Sequence, residues 1–132
     1  MALNRQEVDE LLDKEEIAYI ATTRPDGRPH VMPIWFIYHE GKIYFETDIT
    51  TAKFKNIQHN NKVMIVFGGK NTYIVEGSVK WCKENELGFP VRKRYWDKYG
   101  KDMDDSYITE KTILFELIPE KEQSWHYAPN WD

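Results

Sequence analysis

The chain has 132 residues, enough for one domain that buries a real core, so residues 1–132 are read as a single unit. Its 18 basic and 22 acidic residues leave a formal net charge of -4, which argues against a nucleic-acid or anionic-membrane surface as its main business. Cys82 is the one cysteine, which excludes an internal disulfide, a thiolate cluster and a cysteine-based zinc site, and fits a reducing cytoplasm.

The opening stretch is acidic and amphipathic rather than apolar, and no later run is long enough to span a bilayer, so neither targeting nor a membrane partner is expected. Asn4 with Glu7 three residues on makes a capping-box start, and Val8, Leu11 and Leu12 form one apolar face: a helix over 4–14. Residues 16–48 hold three β-rich runs broken by "RPDG" and "HEGK", a three-stranded meander. "TTAKFKNI", Thr50 to Ile57, is a short helix capped by Thr50 or Thr51 and ended by Asn60 and Asn61. "KVMIVFGGKNTYIVEGSVKWC" is a hairpin turning through "GGKN", with Tyr73, Val75, Val79 and Trp81 alternating against Glu76, Ser78 and Lys80. Between Glu84 and Gly100 the spacing of Val91, Tyr95 and Tyr99 is helical, with Pro90 limiting where regular helix begins. "KTILFELI", Lys111 to Ile118, is a sixth strand ended by Pro119. Six strands with two or three helices around one core predict a mainly β fold, a closed or nearly closed antiparallel β-barrel with flanking helices.

"VMPIWFIY" and "VMIVF" are apolar at almost every position, so both their faces need cover, whereas a barrel interior covers one. A homodimer is the economical cover at this length. Pro33 has no N–H to give a neighbouring strand, which places an edge or bulge there, and such openings admit ligands. Five Trp, eight Tyr and six Phe exceed what one small interior hides, so some aromatic area faces a ligand or partner. The tail "SWHYAPNWD", with Trp125, Tyr127 and Trp131, should dock somewhere.

No catalytic signature is present: no nucleophile elbow, no His-Glu-x-x-His, no Walker loop, no Gly-x-Gly-x-x-Gly. His30, His39, His59 and His126 lack metal-ligand spacing, and His39 and His59 read as solvated polar residues. "RKRYWDKY", Arg92 to Tyr99, mixes bases and aromatics as a nucleic-acid-binding helix does. The acidic balance favours a packing helix with its basic face in water. The anomaly is Lys53 and Lys55 in the first turns of a helix, where the positive end of the dipole costs each about a few tenths of a kcal/mol. With Thr47, Thr50, Thr51 and free backbone N–H groups beside them, they make a phosphate cradle without glycines. A phosphate there could carry a flat aromatic head along the strand of Pro33 and Trp35.

Residues 16–82 resemble the FMN-binding split barrel of the pyridoxamine 5'-phosphate oxidase-like superfamily. Four marks occur in order: Asp-Gly-x-Pro-x-x-x-Pro-x-Trp-Phe from Asp26, Thr-x3-Thr-x-Lys-x-x-Asn-Ile from Thr47, an apolar strand, and a Val-x-Gly strand. The resemblance implies a six-stranded antiparallel split barrel of Greek-key type and a homodimer with the cofactor at its interface. It places the flavin's phosphate at Thr47, Thr51 and Lys53 and its ring along Val31, Met32, Pro33 and Ile34, and Thr50, Ala52 and Lys55 complete the candidate cofactor-binding set. Ala52 stands where many members carry an arginine, so one phosphate contact is absent or is supplied by Lys55. The tail departs from the Arg-x-His segment of the pyridoxal-forming oxidases, so oxidation of vitamin B6 is not implied. The function expected is a flavin-dependent oxidoreductase acting on a small molecule, with NAD(P)H as a candidate donor and no catalytic side chain of its own. The alternatives are a deazaflavin-dependent reductase, using Arg92, Lys93 and Arg94 for the longer acidic tail, and a flavin carrier or redox sensor without turnover. Trp96 or Trp125 is the candidate cover for the ring from a partner subunit.

Overall fold

In a computed structural model, residues 2–103 and 110–126 are described. Helix α1 (Arg5–Lys14) starts in the expected capping box, Asn4 and Glu7 each accepting the other's backbone N–H, and buries Val8 and Leu12. Strands β1 (Ala18–Thr23) and β2 (Pro29–Ile34) form a hairpin, and β3 (Ile37–His39) and β4 (Lys42–Asp48) form another. Helix α2 (Ala52–His59) follows, then the hairpin β5 (Lys62–Gly68) and β6 (Thr72–Cys82), helix α3 (Val91–Tyr99) and β7 (Thr112–Trp125).

All strand pairs are antiparallel, in one sheet of order β2-β1-β5-β6-β7-β4-β3. The two edges, β2 and β3, are joined by Trp35 and Phe36 alone. Three Cα steps span at most roughly 11 Å. A flat sheet of seven strands would hold its edges roughly 29 Å apart. The sheet therefore curls on itself as a split barrel, around Ile20, Phe36, Phe45, Ile65, Phe67 and Val75.

The mainly β fold with flanking helices is as expected, but the strands among the described residues number seven rather than six, because the apolar run "VMPIWFIY" is two strands on opposite edges. Side chains of α3 make the break feasible. The Phe36 N–H donates to the Tyr99 hydroxyl at 3.0 Å, and the Phe36 carbonyl accepts from Tyr99 at 3.0 Å and from Lys98 at 3.2 Å. The Trp35 carbonyl accepts from Tyr95 at 3.2 Å. Backbone groups that would otherwise require a neighbouring strand are thus satisfied by a helix. Pro119 does not end the last strand either. It lies opposite Gly77 at a bulge, where the register slips and a missing N–H costs nothing. A Cβ on Gly77 would stand 2.0 Å from the Ile118 carbonyl oxygen, so only glycine admits this approach.

Trp81 departs from its expected alternation. Tyr73, Val75 and Val79 are buried, while Trp81, near the strand end, is 63% exposed. Of the tail, Trp125 closes β7 beside Thr72, and Tyr127 and Trp131 lie outside the described residues.

Candidate functional site

The elements just described meet at a cavity of about 280 Å³ lined by Ile17, Pro33, Ile34, Trp35, Glu46 and Lys53. Pro33 and Ile34 end the edge strand β2, Trp35 begins the crossing, Glu46 comes from β4 and Lys53 from the second position of α2. Pro33 pairs with Tyr19 on one side and has no strand on the other, the opening its chemistry demands.

Helix α2 is held in place by groups that look inward. Asn56 is buried and its amide donates to the Thr22 hydroxyl of β1 at 3.1 Å. Ile57 enters the core beside Val63. This fixes the face of α2 that Lys53 occupies. The Lys53 ammonium lies 5.9 Å from the centre of the Phe45 ring, and no carboxylate among the described residues is within ion-pair distance of it. Burial without a counter-charge lowers its pKa from 10.5 to about 8.

The threonines divide. Thr51 is the N-cap of α2: its hydroxyl accepts from the Phe54 N–H at 3.2 Å and donates to the Asp48 carbonyl at 2.8 Å. Thr50 spends its hydroxyl on the Asp48 carboxylate at 2.6 Å, and with its backbone N–H, also on that carboxylate, keeps the Asp48 pKa below the usual range. Neither hydroxyl has a proton left to donate. Thr47 is buried and its hydroxyl has no partner among the described residues. Ala52 and Lys53 occupy the first two helical positions, whose N–H groups have no intrahelical acceptor. Two places on, Lys55 is exposed and lies off the cavity, as do Val31 (61% exposed) and Met32 (37%). The structure thus brings Pro33, Ile34 and Lys53 together around one cavity, with Thr47 and Ala52 on the elements flanking it, and separates Lys55, Val31 and Met32 from it.

Glu46 is the residue that sequence reading missed. Its side chain is 2% exposed, one carboxylate oxygen has no hydrogen-bond partner among the described residues, and the other lies 3.9 Å from the Arg92 guanidinium. Burial, opposed by Arg92, raises its pKa from 4.5 to about 7. The signal in the chain was an acid amid the apolar "IYFETD"; only the fold turns that position toward Arg92 and Tyr95 of α3.

The bases of α3 are already engaged. Arg92 lies 3.4 Å from Glu84, Lys93 pairs with Asp97 at 2.9 Å, and Arg94 lies 2.8 Å from His39 Nδ1 and donates to the Tyr38 carbonyl. His39, expected in water, instead stacks on Phe89 at 3.9 Å between ring centres. Tyr95 and Tyr99 are buried as the packing reading of this helix requires, while Trp96 is 51% exposed and Trp125 39%. The Cys82 thiol is pushed up to about 11 by burial and nearby carboxylates, which leaves it inert as a nucleophile.

A family model described as pyridoxamine 5'-phosphate oxidase matches residues 5–126. Among solved structures, a conserved hypothetical protein from Mycobacterium tuberculosis superposes with a TM-score of 0.82 at 20% identity, covering 96% of this chain and 86% of that one. An F420 reductase does so with 0.72 at 20% identity (86% and 94%). A FAD-binding protein from Mesorhizobium loti gives 0.71 at 17% identity (94% and 95%). At these identities the likeness is one of fold. No curated protein sequence matches.

Proposed function

Because the chain belongs to the pyridoxamine 5'-phosphate oxidase family, we propose that it binds FMN and carries out flavin-dependent redox chemistry on a small molecule. The observation that carries this reading is Lys53, a half-buried cation with no counter-ion among the described residues, at a helix start, facing a cavity on an open sheet edge. A buried charge is normally paired, and one left unpaired beside a cavity fits an anionic ligand. The orphaned Thr47 hydroxyl fits the same group, since a phosphate oxygen is the acceptor it lacks.

In this reading Lys53 and the N–H groups of Ala52 and Lys53 hold the phosphate, with Thr47 as a further donor. Thr50 and Thr51 act one step back by fixing the turn and the helix start. Pro33, Ile34 and Trp35 supply the apolar wall for the ring. The bound flavin supplies hydride or single-electron chemistry, which no side chain of the chain can. The deazaflavin alternative needs a free basic groove, and Arg92, Lys93 and Arg94 are engaged within the protomer.

A cavity of about 280 Å³ falls short of the roughly 300–1,000 Å³ of a complete small-molecule site. The missing wall fits a second copy of the chain. Tyr19, Val31, Pro33, Met64 and Val66 share the outer face of β2, β1 and β5, an apolar surface next to the cavity. No helix among the described residues is long and apolar enough to cross a membrane. Residence in the cytoplasm, a homodimer and NAD(P)H as donor are part of the proposal.

Titrating apo-protein with FMN, riboflavin and the deazaflavin coenzyme tests the assignment. FMN is expected to bind much more tightly than riboflavin, and tight binding of the deazaflavin alone would overturn the FMN reading. Bound FMN that no nicotinamide donor reduces would mark a carrier rather than an enzyme. Sedimentation should give twice the 15.8 kDa protomer mass.

A further inference from the structure

We propose that Glu46 is the charge-compensating residue of this cavity: a buried carboxyl that takes up a proton when a phosphoryl-bearing ligand settles beside Lys53, and gives it back when the cavity empties. The proposal rests on the reading of the cavity as an anion site.

The geometry is that of a group lodged in a wall. Glu46 lines the candidate cofactor cavity and also a second one, of about 210 Å³, on its α3 side, where Trp81, Cys82, Glu84 and Arg92 stand. One carboxyl oxygen faces Arg92 at 3.9 Å and the other has no hydrogen-bond partner among the described residues. A buried acceptor without a partner is a cost that the ionised form feels most.

The groups around Glu46 show why it, rather than a neighbour, can change charge. From α3 come Arg92 and Tyr95, whose hydroxyl accepts the Glu46 backbone N–H and so anchors the strand whatever the side chain carries. From the turn before α3 comes Glu84, which lies nearer to Arg92 than Glu46 does, 3.4 Å against 3.9 Å, and also accepts the Arg92 backbone N–H at 3.1 Å. Arg92 is therefore balanced by Glu84 when Glu46 is neutral. From β6, Cys82 keeps its proton at neutral pH, and Lys83 beside it faces the outer cavity. Strand β7 brings the uncharged Thr112 and Leu114. Across the first cavity stands Lys53, which does not pair with Glu46.

Without a ligand, burial holds the Glu46 pKa up at about 7 and the Lys53 pKa down at about 8. A phosphate monoester brings a charge of about -1.5 to -2. A cavity of this volume is narrower than the ~10 Å Debye length of 0.1 M salt, so salt screens the new charge little. It opposes the Glu46 carboxylate and favours the Lys53 ammonium, and both responses bind protons. Affinity then falls as pH rises, by about tenfold per pH unit for each proton taken up.

The test is calorimetric titration of the full chain with FMN, in buffers of different ionisation enthalpy, at about pH 8, where a phosphate of second pKa about 6 is already dianionic and does not itself titrate. Wild type should take up protons, and Glu46→Gln should take up measurably fewer, Lys53 providing the remainder. Infrared difference spectra should show a carboxylic-acid band growing on binding in wild type and missing in Glu46→Gln. Arg92→Ala should also lower the uptake, because Arg92 holds the Glu46 pKa down and without it Glu46 is more fully protonated before the ligand arrives. Equal proton uptake in wild type and Glu46→Gln, with no carboxylic-acid band in either, would overturn the proposal. If FMN fails to bind but inorganic phosphate binds with Glu46-dependent uptake, the FMN reading falls and this one stands. Failure of both probes to bind removes both.

Discussion

The two helices flanking the curled sheet hold to it in opposite ways. Helix α3 inserts two tyrosines whose hydroxyls, at 3.0 Å from the Phe36 and Glu46 N–H groups, replace sheet hydrogen bonds, and its bases have partners close by. Helix α2 holds on by an Asn56–Thr22 bond and an apolar face, and leaves Lys53 half-buried with no carboxylate among the described residues in ion-pair distance. The difference separates architecture from readiness to bind. Around Phe36 the buried polar groups are matched and the fold is finished by itself; around Lys53, Thr47 and Glu46 some are not, and there a ligand can complete the set.

The largest effect should come from the matched side. Tyr99→Ala removes a fully buried ring stacked on Trp35 at 4.4 Å and the hydroxyl that serves Phe36 and Glu16. A loss of about 3–5 kcal/mol in unfolding free energy is expected for such a truncation, measurable by denaturant titration. A loss below 1 kcal/mol would mean that the strand break does not depend on α3.

Glu46→Gln should move stability the other way, and only at high enough pH. The folded pKa of about 7 lies above the ordinary 4.5, so the ionised folded state is penalised as pH rises between those values. The variant's advantage should be absent below about pH 4, grow up to about pH 7, then level off at up to roughly 3 kcal/mol. Unfolding curves at a series of pH values check this, and a pH-independent difference would assign the effect to packing instead.

Next in size is Lys53→Ala, whose two readouts should differ in sign. FMN binding should weaken by about 1.5–3 kcal/mol, the worth of a charge-assisted contact, with riboflavin little changed. Unfolding free energy of the free protein should stay level or rise, because a desolvated cation has gone. Equal weakening of both ligands would place the phosphate elsewhere. The smallest expected effect is Thr51→Ala, a lost N-cap worth about 1 kcal/mol of stability, with FMN affinity falling only as α2 frays.

Much of this was legible along the chain, and the reasons are local. The capping box at Asn4, the turns at "RPDG" and "GGKN", and the four-residue spacing of Val91, Tyr95 and Tyr99 each follow from forces acting over a few residues. The edge at Pro33 and the oddity of Lys53 were legible for the same reason: a missing N–H and a misplaced charge declare themselves without a neighbour. The amino-acid sequence by itself determined the β-rich class, the start of α2 and the cation placed there.

Tertiary structure decided what depends on partners far apart in the chain. "VMPIWFIY" becomes two strands only because Tyr95 and Tyr99, some sixty residues on, take over its hydrogen bonds. Lys53 is separated from Lys55 because Asn56 and Thr22 fix which face of α2 looks inward. Glu46 acquires its chemistry from burial beneath α3 beside Arg92. Desolvation and long-range hydrogen bonding depend on distances through space, and no pattern of neighbours in sequence encodes them.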